Sequence, residues 1–97
     1  MTAIRYWVYI VACRDGTYYT GIATDIDRRL LEHNGITGKS NKGARYTASR
    51  RPVSLVYAAP LPNRSDALKE ELRIKRMTRT QKMQLIAMMA AKPRSQS

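Results

Sequence analysis

The sequence predicts a single α/β domain of the α+β kind, a three-stranded antiparallel sheet flanked by about three helices. Three observations predict it. Two short runs rich in aromatic and β-branched residues are joined by an Asp-Gly pair, which is the dipeptide preferred by tight hairpin turns. A third such run follows Pro52, and the last third of the chain carries apolar residues at helical rather than strand spacing. With 97 residues there is material for one hydrophobic core and no second one.

Taken in order, Tyr6 to Cys13 reads as the first strand, ending at the turn Arg14-Asp15-Gly16. Thr17 to Ala23 reads as its antiparallel partner, with Tyr18, Tyr19, Thr20 and Ile22 as strand-favouring residues. Thr24-Asp25 supplies an N-cap for a short helix from Ile26 to Asn34, in which Ile26 and Leu30 share a face and Asn34-Gly35 is the stop. Gly35 to Arg51 has three glycines, five basic residues and no sustained period, so a mobile basic loop is expected. Val53 to Ala59 is the third strand and Pro60 to Arg64 its exit. Asn63 or Ser65 can cap a helix to about Met77, with Leu68, Leu72 and either Ile74 or Lys75 at helical spacing. Thr78 or Thr80 can begin a further helix to about Ala91, with Met83, Ile86, Ala87 and Ala90 as its apolar stripe. The domain is expected to span residues 1–91, with 92–97 a disordered tail beyond it.

Composition narrows the function. Lys and Arg outnumber Asp and Glu by 18 to 7, a net charge of +11. Between Glu32 and Asp66 there is no acidic residue, while Lys39, Lys42, Arg45, Arg50, Arg51 and Arg64 fall in that stretch. An uncompensated field of this kind suits the phosphates of a nucleic acid better than mere solubility. The single cysteine, Cys13, excludes an internal disulfide and a cysteine-based zinc site, and its apolar neighbours point to packing. No secretion signal or membrane-length apolar stretch is evident, so the expectation is a cytoplasmic protein with no membrane partner.

The residues that carry chemistry begin in the hairpin, at Trp7-Val8-Tyr9 and Tyr19-Thr20-Gly21. Ten positions after Tyr19 stands Arg29, with Arg28 beside it, and His33 follows on the same helix face. Downstream lies Ala67-Leu68-Lys69-Glu70-Glu71, and the segments Lys42-Gly-Ala-Arg-Tyr-Thr47 and Ile74-Lys75-Arg76-Met77 complete the pattern. On these motifs the chain resembles the GIY-YIG nuclease family, in particular its small stand-alone bacterial members of the YhbQ-like, UPF0213 type. The likeness runs from Tyr6 to about Arg79. Trp7 replaces the glycine of the first tripeptide and Thr20 the isoleucine of the second. The asparagine that some branches carry after the metal-binding glutamate is absent, so that branch's positioning of metal or substrate does not carry over.

The resemblance implies a set of roles. Glu71, or Glu70 in the competing register, binds magnesium or manganese, and Arg29 stabilises charge on the scissile phosphate. Tyr9 and Tyr19 flank the attacking water, and one of them helps to orient or deprotonate it. His33 protonates the leaving group or holds a phosphate, and Gly21 permits a close approach. Chemistry supports the set: attack at a phosphodiester requires neutralisation of oxyanion charge, an activated water and a stabilised leaving oxygen. A magnesium ion keeps most of its coordination sites for water and phosphate, so one carboxylate suffices to hold it. An unaided phenolate is scarce at neutral pH, since a tyrosine pKa lies near ~10. Arg28, Lys39, Lys42, Arg45 and Tyr46 are the expected strand-gripping residues, cations on phosphates and a ring on a base. The reading is a metal-dependent endonuclease acting on DNA, single-stranded or branched DNA favoured and RNA not excluded, as a monomer or weak dimer. The alternatives are a nucleic-acid-binding module or repair-complex subunit that does not cut, or a helix-turn-helix-like reader built from the last two helices, which lacks the glycine often found in that turn.

Overall fold

The run Val8 to Val11 is apolar without alternation, as expected of a strand covered on both faces, and all four residues are buried. This strand, β1 (Tyr6–Cys13), is the centre of the sheet; β2 (Tyr18–Ala23) and β3 (Val53–Leu61) flank it in the order β2-β1-β3, both antiparallel to it. The computed structural model describes residues 5–35 and 47–91. Within them the remaining elements are helix α1 (Ile26–His33), a 3-10 turn (Ala48–Arg50), helix α2 (Arg64–Lys75) and helix α3 (Arg79–Ala91). The fold class is therefore the one expected, an α+β arrangement of a three-stranded antiparallel sheet with three described helices.

Each boundary has a local cause. Gly16, at φ +87°, takes the left-handed position of the β1–β2 turn. The Asp25 side chain accepts from the Arg28 N–H at the start of α1, and Gly35, at φ +76°, follows its end. Asn63 rather than Ser65 caps α2, accepting from the Asp66 N–H at 2.8 Å. At α3 the cap is Thr78, in a reciprocal box with Gln81: the Gln81 N–H donates to Thr78 Oγ1 and the Thr78 N–H to Gln81 Oε1.

The sheet has two covered faces. On one, Tyr9, Val11 and Cys13 pack with Ala23, Val53, Ile26 and Leu30, which seats α1. On the other, Val8 and Ile10 pack with Ile74, Leu85 and Ile86, which seats α2 and α3. A register irregularity between Ile10 and Val11 shifts their β3 partners from Tyr57 to Leu55 and keeps both ends of that strand in phase with the two cores.

Two expectations need correction, for β3 and α3, and α2 buries a line that its helical spacing did not name. The third strand continues through Pro60 to Leu61, because β3 lies at the sheet edge, where a residue without an N–H is tolerated. In α2 the leucines Leu68 and Leu72 face solvent, and Ala67 and Ile74 are the fully buried residues. In α3, Leu85 and Ile86 meet the sheet while Met83 and Ala87 are exposed. Beyond Lys82 that helix has Gln84 as its one polar residue, so its composition leaves the docking face open and packing against β3 selects it.

Candidate active site

Tyr9 and Gly21 are register partners on β1 and β2. A Cβ at Gly21 would lie 2.7 Å from the Tyr9 hydroxyl oxygen and 3.2 Å from the Tyr19 ring. The missing side chain is therefore the space in which the Tyr9 phenol lies across β2, a more specific reason for glycine than backbone freedom. Tyr9 itself is buried, and its hydroxyl is 2.9 Å from His33 Nε2, at the last residue of α1. The Tyr19 ring packs against the same imidazole, with centroids 5.2 Å apart.

His33 corrects the sequence expectation. Helical spacing puts it beside Arg29 with access to a phosphate, but it is fully buried, with Nδ1 3.0 Å from Thr47 Oγ1. Its carbonyl accepts from Thr47 Oγ1 at 3.1 Å and from Arg51 Nε at 2.7 Å. The two ring nitrogens therefore lie against Tyr9 and Thr47. The helix is short, and its last turn is drawn under the segment that begins at Thr47 rather than towards solvent.

Around this pair the charged groups are arranged asymmetrically. Arg29 is one-third exposed and borders a cleft of about 160 Å³ with Ala23, Thr24, Asp25, Arg28 and Glu32. Glu32, given no site role in the sequence, is buried with its carboxylate 3.3 Å from Arg28 Nε and 3.4 Å from Arg29 Nε. It holds both guanidinium groups at the cleft wall. Burial pushes the Tyr9 phenol far above the ordinary tyrosine range; Arg29 opposes the shift, and the charges of Tyr19, Glu71 and Glu32 add to it. All four groups thus act electrostatically on one hydroxyl.

Glu71 lies on the sheet-facing side of α2, in helical phase with Ala67 and Ile74, and only 18% of its side chain is exposed. Its Oε2 pairs with Lys75 Nζ at 3.3 Å, while Oε1 has no partner among the described residues. The competing carboxylate, Glu70, is tied by two hydrogen bonds to Arg73, which holds its pKa below the usual carboxylate range. Of the two registers, Glu71 is the one with a free oxygen on the inner face of the helix. Among the described residues no three His, Cys, Asp or Glu side chains form a ready-made metal cage. A hard cation with one protein carboxylate and water or phosphate in its other positions fits that donor set. Lys39, Lys42, Arg45 and Tyr46 lie outside the described residues.

Comparison with known proteins bears on this constellation. The family model of the GIY-YIG catalytic domain matches residues 5–84. The chain belongs to the GIY-YIG family. This GIY-YIG domain is 54% identical over 81 residues to a UPF0213 protein of Desulfotalea psychrophila, covering 84% of this chain and 70% of that one. It is 45% identical over 83 residues to a UPF0213 protein of Staphylococcus saprophyticus, covering 86% and 95% of the two chains. Among solved structures it is similar to the solution structure of a UPF0213 protein from Bacillus halodurans, with TM-score 0.54 and 35% identity over 87% of this chain and 84% of that one. A second solution structure, of an E. faecalis protein, gives TM-score 0.60 and 33% identity over 96% and 94% of the two chains. Membership of this nuclease superfamily implies a nucleic-acid substrate. The residues matched include every described residue placed around Tyr9.

Thr47 and Glu32 were not found by reading the sequence for chemistry. Thr47 ends the Lys42-to-Thr47 segment that carries the family likeness, and that membership was its only signal. Glu32 had a weak one, its spacing of four from Arg28 and three from Arg29.

Proposed function

We propose that this GIY-YIG domain is a divalent-metal-dependent endonuclease that hydrolyses DNA phosphodiester bonds, with single-stranded or branched DNA as the favoured substrate. The observation that carries the reading is the hydrogen bond between a buried tyrosine and a buried histidine, Tyr9 and His33, beside Arg29, Tyr19 and Glu71. Two buried proton-exchanging groups in contact have no better explanation in packing, since both cost desolvation that apolar residues would avoid. Glu71 would hold magnesium or manganese, which supplies Lewis-acid neutralisation of the developing oxyanion and acidifies bound water.

The chain's own residues account for the proton. Burial keeps Tyr9 protonated at rest, so it acts as a relay rather than as a standing phenolate. As the attacking water gives up a proton to the Tyr9 oxygen, the phenol passes its own proton to His33 Nε2, and the imidazole becomes imidazolium. Arg29, held at the cleft wall by Glu32, lies where a guanidinium can pair with a non-bridging phosphate oxygen. Tyr19 packs against the histidine and limits the space in which water can approach it. The basic residues Arg28, Lys39, Lys42 and Arg45, with Tyr46, would grip the strand.

The test is cleavage of end-labelled single-stranded, duplex and flapped DNA by wild type and Glu71→Gln, with magnesium, manganese or EDTA. The expected result is metal-dependent cutting lowered by at least about 10²-fold in the variant while DNA binding is retained. Binding without cutting under every condition would overturn the proposal in favour of a non-catalytic nucleic-acid-binding module. The Glu71–Lys75 ion pair is the one observation on that module's side, because it neutralises the carboxylate within its own helix.

A further inference from the structure

Thr47 is fully buried and stands at the N-cap position of the Ala48–Arg50 turn, yet its side chain makes no capping bond there. A threonine at such a position ordinarily accepts from a backbone N–H of the turn that follows. Here the hydroxyl is directed at His33, 3.0 Å from Nδ1 and 3.1 Å from the histidine carbonyl. This pair of bonds constrains the imidazole, because a threonine hydroxyl carries one proton and a carbonyl oxygen can only accept.

With the hydroxyl proton directed to the carbonyl, the Thr47 oxygen can only accept from the ring, so Nδ1 carries the hydrogen. A neutral imidazole has one N–H, and Nε2 is then a bare lone pair facing the Tyr9 hydroxyl at 2.9 Å. The opposite assignment has Thr47 donating to Nδ1 and Nε2–H donating to Tyr9. It takes the Thr47 proton away from the carbonyl and sets the threonine oxygen against the carbonyl lone pairs. Buried polar groups are rarely left in that state. The Arg51 guanidinium, 2.7 Å from the same carbonyl, fixes the histidine backbone on which both bonds depend.

We propose that Thr47 is a positioning residue that sets the Nδ1–H tautomer of His33, so that Nε2 is available to take the proton of Tyr9. The inference rests on the acid–base reading of the Tyr9–His33 pair, and it adds what gives that pair its direction. No proton moves through Thr47 itself: the water proton ends on Tyr9, the phenol proton on Nε2, and Nδ1–H stays bonded to the threonine oxygen throughout.

The experiment is long-range 1H–15N NMR of the His33 ring in 15N-labelled wild type, Thr47→Val and Thr47→Ser, with single-turnover cleavage on the same samples. The expected result is an Nδ1–H ring in wild type and Thr47→Ser. Thr47→Val should show loss of that tautomer and a fall in the single-turnover cleavage rate constant on the order of 10²-fold, with the half-saturating enzyme concentration nearly unchanged, the size of a general-base contribution. An Nε2–H ring in wild type would overturn the proposal, whether or not the variants fold, and so would a folded Thr47→Val that retains Nδ1–H. Cleavage by a wild type with the wrong tautomer would sink this inference and leave the nuclease standing. The expected tautomer in a protein that cuts nothing would do the reverse.

Discussion

The Tyr9 hydroxyl is the atom on which most of the charged groups near the site act. Burial is the largest influence and favours the neutral phenol, so its pKa lies well above the tyrosine value of 10.0. The sign of the linkage follows: a group whose folded pKa exceeds its unfolded one contributes stability that is complete below about pH 10 and lost as pH rises beyond it. Urea unfolding between about pH 8 and 11 should therefore show stability falling above about pH 10 in wild type and falling less in Tyr9→Phe. Equal slopes would mean that Tyr9 ionises as readily folded as unfolded. Tyr9, Tyr19, Arg29 and Glu71 were singled out through the family resemblance, whose motifs stand at set spacings along the chain. The burial of His33 was not legible in the sequence, since helical periodicity reports which residues share a face and not what lies against it.

At the scale of elements, the end of α1 is what brings histidine and tyrosine together. Asn34 docks this end onto β3 with both functions of its amide: Nδ2 donates to the Val53 carbonyl at 3.2 Å, and Oδ1 accepts from the Val53 N–H at 2.8 Å. Gly35 follows at φ +76°, and a Cβ there would fall 2.5 Å from the Arg51 guanidinium that supports the His33 carbonyl. Asn34→Ala should leave both Val53 backbone groups unpaired and lower the unfolding free energy by about 2 kcal/mol. Asn34→Asp, which keeps only the acceptor, should fall between, and a change within experimental error for alanine would mean that the amide does not clamp the helix end. The sequence marked Asn34-Gly35 as a helix stop, which it is, but the second use of Asn34 depends on a strand residue 19 positions away.

Across the whole molecule, the seven acidic residues are spent locally. Asp15 pairs with Arg50, Glu32 with Arg28 and Arg29, Glu70 with Arg73 and Glu71 with Lys75, while Asp25 caps α1, Asp27 lies in the first turn of α1 and Asp66 in that of α2. The excess of +11 is left for solvent or a polyanion. DNA affinity should consequently fall steeply with salt. Replacing Lys39, Lys42 and Arg45 together by alanine should flatten the log–log slope by about 0.7–0.9 for each phosphate that is no longer neutralised. An unchanged slope would exclude that segment from the DNA interface, whatever the Glu71 assay reports.

By itself the sequence determined the strand and helix order, the caps and turns, the positive field and the spacing of the motif residues. These are properties of neighbours along the chain, where propensity, capping and charge act locally. The tertiary structure decided which face each helix presents. Leu68 and Leu72 look outward from α2, and the inner line of that helix carries Ala67, Glu71 and Ile74. A leucine-rich stripe ought to be the buried one on transfer energies alone. Docking reverses it because Ala67, with no side chain beyond Cβ, admits a close approach to the sheet and turns the Glu71 carboxylate inward. The Tyr9–His33–Thr47 chain is likewise tertiary in origin, since its three residues come from β1, α1 and the turn before β3 and meet only when α1 closes against the sheet.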